Sequence, residues 1–225
     1  MTRNLILSGG VAHDYRTTSP LLAAVLQDVG IASEIHEDFA VVESGALQDF
    51  DLLTLNCVRW TCNQTPNWRQ EWHFDLSARA RQELLDFFAQ GRGLLALHAA
   101  TICFDDWPEF RRILGACWDW GYSGHAPLQV HAMHVRSPEH PITQGLADFA
   151  IMDELYTNPR QVGSLDPLVE ATWANATHPI LWLRHYGEAR ICYNGLGHGA
   201  EAFVHPVNRL LLQRGALWVL DRLEA

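Results

Sequence analysis

The chain has no long apolar run. Nothing in its 225 residues approaches the roughly 20 consecutive apolar residues of a membrane helix, and the first stretch, MTRNLILSGG, breaks at Gly9-Gly10 too soon for the core of an export signal. No membrane partner is expected, and the expected location is cytoplasmic. Cysteine is sparse: five residues, an odd number with no pairing pattern, which argues against a disulfide framework and for reduced thiols. Positive charge is scarce as well. Sixteen basic residues against 26 acidic ones give a net charge of −10, which repels phosphate backbones and speaks against nucleic-acid binding. Several catalytic signatures are missing: the Gly-x-Ser-x-Gly elbow, a phosphate loop, the full dinucleotide glycine pattern and a His-Glu-x-x-His metal motif. No nucleotide cofactor is expected.

What is present is a sizeable hydrophobic share, 48%, together with twelve histidines and nine tryptophans. The histidine count raises the case for metal or acid–base chemistry. The apolar runs read as strands: Leu5 to Gly10, then ASEIHE, then Asp51 to Cys57, then GLLALH. Helices fit between them. One starts at Ser19-Pro20 and stops at Gly30. Another is capped by Ser77 and stopped by Gly91. A short third helix follows acidic N-cap candidates in DDWPEFRRILG. The order argues for an α/β fold with a parallel, doubly wound sheet. Further on, LQVHAMHV and PLVEATWA read as strands, and a hairpin turns at Tyr186-Gly187-Glu188. Pro206 opens a last amphipathic helix. No linker or repeat divides the chain, so residues 1–225 are expected to form one domain.

In such a sheet the ligand crevice lies beyond the C-terminal ends of the strands. That places His13, Asp14 and Tyr15 after the first strand, Asn56, Arg59 and Trp60 after the third, His98 after the fourth, and His198 and Glu201 after the hairpin. His98 sits on a strand-to-helix turn, a ligand position. Asp14 either closes a local turn or faces His98. Gly195, Gly197 and Gly199 let the backbone around His198 approach a ligand closely. His13, His98 and His198, with Glu201, can supply the three ligands of an open metal site, so a divalent ion (zinc, manganese or iron) is the cofactor considered. Glu154 and Tyr156 in MDELY, with His125, Trp60, Tyr15 and Asn56, are candidates for binding substrate, Glu154 as a ligand for a sugar hydroxyl or as a general acid–base. Trp118, Trp120, Trp68 and Trp72 form either an aromatic rim for sugar rings or a packing and dimer surface. His131 and His134 alternate on a strand and point opposite ways, so they are no metal pair.

Together, LSGGVAHDYR, GRGLLALHAAT, HPITQGL, DELY and YNGLGHGAEAF resemble the trehalose-utilisation (ThuA-like) family of the class I glutamine amidotransferase-like superfamily. The resemblance covers nearly the whole chain. It implies a flavodoxin-like, three-layer α/β/α sandwich, mostly parallel, with an added antiparallel hairpin. In true amidotransferases the elbow is Gly-x-Cys-x-Gly; here it is Ala96-Leu97-His98-Ala99-Ala100, with Cys103 beyond it, and the partner His-x-Glu becomes His198-x-x-Glu201. Glutaminase activity is therefore not carried over. The family's link to sugar catabolism, and to oxidoreductases that make 3-keto sugars, implies a trehalose-like or 3-keto sugar substrate and a sugar oxidoreductase as an associated protein. His98, or His13 with Asp14, would be the base, with Glu201 orienting His198. The rival readings are a sugar-binding module without chemistry and a subunit that docks on an oxidoreductase. A homodimer is the assembly considered.

Overall fold

Near-continuous apolar runs, whose successive side chains point to opposite faces, build a sheet covered on both faces. The computed structural model describes residues 1–223. Its first half contains β1 (Thr2–Gly9), α1 (Tyr15–Gln27), β2 (Ile31–His36), α2 (Ala40–Glu43), β3 (Leu52–Cys57), α3 (Pro66–Trp72), α4 (Ala78–Ala89), β4 (Gly93–Leu97) and α5 (Pro108–Leu114). The second half contains β5 (Ala116–Cys117), β6 (Gly124–Val135), β7 (Phe149–Thr157), β8 (Arg160–Gln161), β9 (Pro167–Trp173), β10 (Ala176–Tyr186), β11 (Ala189–Asn194), α6 (Ala200–Val204) and α7 (Pro206–Val219).

On one face Leu5, Leu7, Leu53, Leu55, Leu94 and Ala96 pack against α2, α4 and α5 through Val42, Leu84, Phe87, Phe88 and Phe110. On the other, Ile6, Leu52, Leu95 and Leu97 pack against α1 and α7 through Leu22, Leu26, Leu211 and Ala216. Neighbours along each strand go to opposite layers because successive side chains alternate. The result is three layers, α/β/α.

The nine-stranded sheet runs β2-β1-β3-β4-β11-β10-β9-β6-β7. The first five strands are parallel, in the doubly wound order 2-1-3-4-5. The antiparallel addition comprises four strands, of which the β10–β11 hairpin is only the start. β7 touches β10 although β9 and β6 lie between them in the hydrogen-bonding order, so this part of the sheet curls back.

Two helix starts differ from the sequence reading. α1 begins at Tyr15, five residues before Pro20, because Asp14 accepts the Thr17 N–H at 3.2 Å and caps it. Ser19, read as the cap, instead places its hydroxyl 2.7 Å from that of Ser8 and accepts from Asn56 at 2.9 Å in a buried network. The acidic residues before α5 do not cap it either: Asp105 accepts from Thr61 N and Oγ1, and Asp106 pairs with Arg81. Ser77 does cap α4, accepting from Ala80 N. The aromatic loop after β3 contains α3, whose N1 position is Pro66. No helix of the described residues is long and apolar enough to cross a membrane.

Candidate functional site

His98 follows β4 and opens a turn with φ of +39°, a left-handed conformation that strains any residue but glycine. Two hydrogen bonds hold it there. Its carbonyl accepts from the Tyr193 hydroxyl at 2.8 Å, and its Nδ1 donates to Gly195 O at 2.8 Å. A carbonyl can only accept, so Nδ1 carries a proton, which leaves Nε2 as the nitrogen whose lone pair can bind a ligand. Nε2 is buried, has no hydrogen-bond partner, and lies 3.8 Å from Glu154 Oε2.

His13 is built the same way. Its Nδ1 lies 3.2 Å from Val11 O, and its buried Nε2 has no partner. Gly10, with φ of +129°, permits this loop: a Cβ there would lie 2.4 Å from Val58 O, so the turns after β1 and β3 touch backbone to side. The His13 ring centroid is 5.1 Å from that of His98 and 4.8 Å from that of His198. Burial, followed by the adjacent His98, pushes the His13 imidazole down to about 3, which keeps it neutral.

His198 arrives on the loop after β11. Gly197 N and His198 N both donate to the carboxylate of Asp153, at 2.8 and 3.0 Å. The adjacent side chain, Glu154, lies with Oε2 3.1 Å from His198 Nδ1, close but without hydrogen-bond alignment. Glu154 Oε1 is 3.4 Å from Nδ1 of His125 on β6. Burial by itself would raise the Glu154 carboxyl, but His198, His98 and His125 outweigh it and hold the group ionised, well below the usual range. The same carboxylate raises the His198 imidazole.

His13, His98, Glu154 and His198 each bring one ligating atom to within 4.8 Å of all the others, a group that could hold a metal ion. A pocket of about 280 Å³ opens above them, walled by Trp60, Trp68, Trp118, Trp120 and Tyr156. A larger, more open depression of about 670 Å³ lies at the other edge of the sheet, beside Arg92, Arg190 and Arg222, away from these histidines.

A family model for trehalose utilisation (ThuA) matches residues 3–219. The chain belongs to the ThuA family. It is similar in structure to a ThuA-like protein from Parabacteroides merdae, with a TM-score of 0.77 and 22% identity over 97% of this chain and 90% of that one. A ThuA-like protein from Bacteroides uniformis follows at 0.72 and 19%, over 97% and 91%. A β-galactosidase from Rahnella sp. R3 contains the same fold within a longer chain: 0.63 and 14%, over 99% of this chain and 31% of that one. No curated protein matches. Membership in the ThuA family supports a carbohydrate-related role.

Against this ThuA-family site the residues expected from the sequence fall into three groups. His13, His98 and His198 converge with Glu154, and Trp60, Tyr156 and His125 line the pocket around them. Tyr15 and Asn56 are buried beside or behind it. The Tyr15 ring lies 5.4 Å from that of His13, whereas Asn56 donates to Thr18 and Ser19 inside the fold. Asp14 and Glu201 stand apart: Asp14 is the exposed cap of α1, and Glu201 is exposed in the first turn of α6. The carboxylate against His198 is thus Glu154, where the sequence reading expected Glu201. Sequence reasoning gave Asp153 no part. The available signal was the alternation in MDELY, which sends Asp153 into the fold and Glu154 and Tyr156 to the pocket face. Cys103 lies behind the elbow, 3.8 Å from the sulfur of Cys57, and burial pushes its thiol well above the ordinary range.

Proposed function

We propose that this protein is an enzyme of sugar metabolism, acting on a trehalose-like disaccharide or a 3-keto derivative of a glycoside by histidine acid–base chemistry assisted by a divalent metal. One observation carries the metal part. The Nε2 atoms of His13 and His98 are buried and unpartnered beside a third imidazole and a carboxylate. Buried polar atoms nearly always have partners, and a pair of such orphans facing His198 and Glu154 fits a three-histidine, one-carboxylate ligand set. Nitrogen and carboxylate donors suit zinc, manganese or iron. When bound, such an ion would stabilise negative charge developing on a substrate oxygen.

The chain's own residues do the rest. Val11 O and Gly195 O fix the tautomers and ring directions of His13 and His98, as outer partners of ligating histidines do. His98 is better placed as a ligand than as the base, because its free nitrogen faces inward. His125, half in solvent at the pocket mouth and outside the ligand set, is the imidazole that can take up and return a proton. A keto group acidifies the adjacent C–H, so such a base would begin isomerisation or elimination of the glycosidic oxygen. Glutaminase chemistry is not part of the proposal: histidine stands at the elbow, and the Cys103 thiol is buried and hard to ionise.

The test is elemental analysis of protein purified without chelator, followed by incubation with 3-keto sugars. About one equivalent of metal is expected, lost in His98→Ala and His198→Ala together with turnover. Protein that takes up no metal even after soaking would overturn the metal part. Sugar binding without any product, unchanged in His98→Ala, would favour a binding module.

A further inference from the structure

From the pocket walls we infer that the site admits one uncharged sugar ring and rejects the phosphorylated form of the same sugar. The inference rests on the sugar-active reading above and narrows its substrate class.

The first ground is charge. The chain contains no lysine, so all sixteen of its cationic side chains are arginines. None of them lines the pocket. Two neighbouring arginines, one after β3 and one on β8, are used elsewhere. Arg59 donates to Ser8 O and Glu37 O, and Arg160 pairs with Asp119 while covering the Tyr122 ring. A phosphate monoester carries roughly −1.5 to −2 at neutral pH and is ordinarily met by arginine forks, lysine or the start of a helix. Here the one acidic side chain of the lining is Glu154. A divalent ion on the floor would be partly neutralised by that same carboxylate.

The second ground is hydrogen bonding. Six lining residues hold a buried polar atom with no partner: His13 Nε2, Trp60 Nε1, Thr65 Oγ1, Trp118 Nε1, Trp120 Nε1 and His198 Nδ1. Only four other side chains among the described residues share that condition, and one of these is His98 in the same cluster. Three of the six are indole N–H groups, neutral and able only to donate. Hydroxyl and ring oxygens of a neutral sugar accept such bonds without bringing a charge, and the indole faces suit its C–H surface.

The third ground is size. About 280 Å³ falls just below the range of roughly 300–1,000 Å³ common for small-molecule pockets, room for one ring rather than a chain of them. Trp68, 42% exposed, stands at the mouth, where a second ring would rest in solvent.

Calorimetric titration of the full-length protein, as purified, with two matched pairs tests this: glucose against glucose 6-phosphate, and trehalose against trehalose 6-phosphate. The neutral member should bind at least about tenfold tighter in each pair that binds, and Trp118→Phe or Trp120→Phe should weaken it roughly 2- to 10-fold. Phenylalanine keeps a flat apolar ring, and circular dichroism confirms the fold. Equal or tighter binding of a phosphorylated member would overturn the inference while leaving the sugar-active reading standing. Neutral binding indifferent to both phenylalanine variants would overturn the role of the indole donors. Failure of all four sugars to bind would overturn this inference together with the trehalose-like arm of the sugar-active reading, whose 3-keto arm is decided separately by the turnover assay above.

Discussion

Asp153 accepts the backbone N–H of His198 at 3.0 Å, while the next side chain along the same strand, Glu154, comes within 3.1 Å of the His198 ring. One dipeptide thus grips both ends of the histidine. Asp153 also accepts from Gly197 N and Glu154 N, both at 2.8 Å, so a single buried carboxylate ties β7 to the loop after β11. Replacing it with alanine leaves buried N–H groups unpaired. Asp153→Ala should cost about 2–4 kcal/mol of stability, read by urea denaturation, and Asp153→Asn less, since the amide keeps one acceptor oxygen. A cost under about 0.5 kcal/mol for the alanine variant would contradict the anchoring role.

Tyr193 holds the strained elbow through its hydroxyl, which donates to His98 O. Tyr193→Phe removes that bond without opening a cavity. The expected loss is about 1 kcal/mol in thermal stability, with a fall of roughly tenfold or more in metal affinity as His98 relaxes. Metal titration of the folded variant checks the second part. Unchanged affinity would mean that burial alone sets the ring.

Gly10 and Gly121 both have positive φ, +129° and +85°, but only Gly10 has backbone where a Cβ would go; Gly121 has nothing within 4 Å. Gly121→Ala should cost about 1 kcal/mol from backbone strain alone. Gly10→Ala must also push the β1 and β3 turns apart, so it should cost several-fold more and displace His13. Comparison of the two melting temperatures decides it; similar losses would refute the close approach.

Acid should destabilise the protein in a window set partly by His13. Its folded-state value, about 3, lies below the ordinary 6.5, so between those values the unfolded chain binds a proton that the folded one does not. Stability from this source is therefore complete above about pH 6.5 and is lost as pH falls toward 3. His13→Gln, neutral at every pH, should flatten the stability profile across that window. Parallel profiles for the two proteins would assign the acid lability to other groups.

The legible parts of this protein were those that depend on neighbours in sequence. Continuous apolar runs in β1, β3 and β4 announced a sheet buried on both faces, and Ser77 and Gly91 marked the two ends of a helix that the structure keeps. Topology then placed His13, His98 and His198 at one edge, because loops that follow parallel strands emerge together. The fourth member of that group could not be ranked the same way. Glu201 stands three residues from His198, yet it is exposed on α6; Glu154, 44 residues away in sequence, supplies the carboxylate.

The chain pattern by itself determined a parallel, doubly wound sheet and, through strand direction, three imidazoles on one edge of it. The three-layer arrangement was implied by the family resemblance, and the strand order was not written in any one segment. Only the tertiary structure decided which acid meets the imidazoles. β7 lies at the far end of the hydrogen-bonding order, and the curl of the antiparallel strands returns it toward β10, with Glu154 beside His98 and His198. That curl is a property of the sheet's twist accumulated over four strands, and no segment of sequence taken alone carries it.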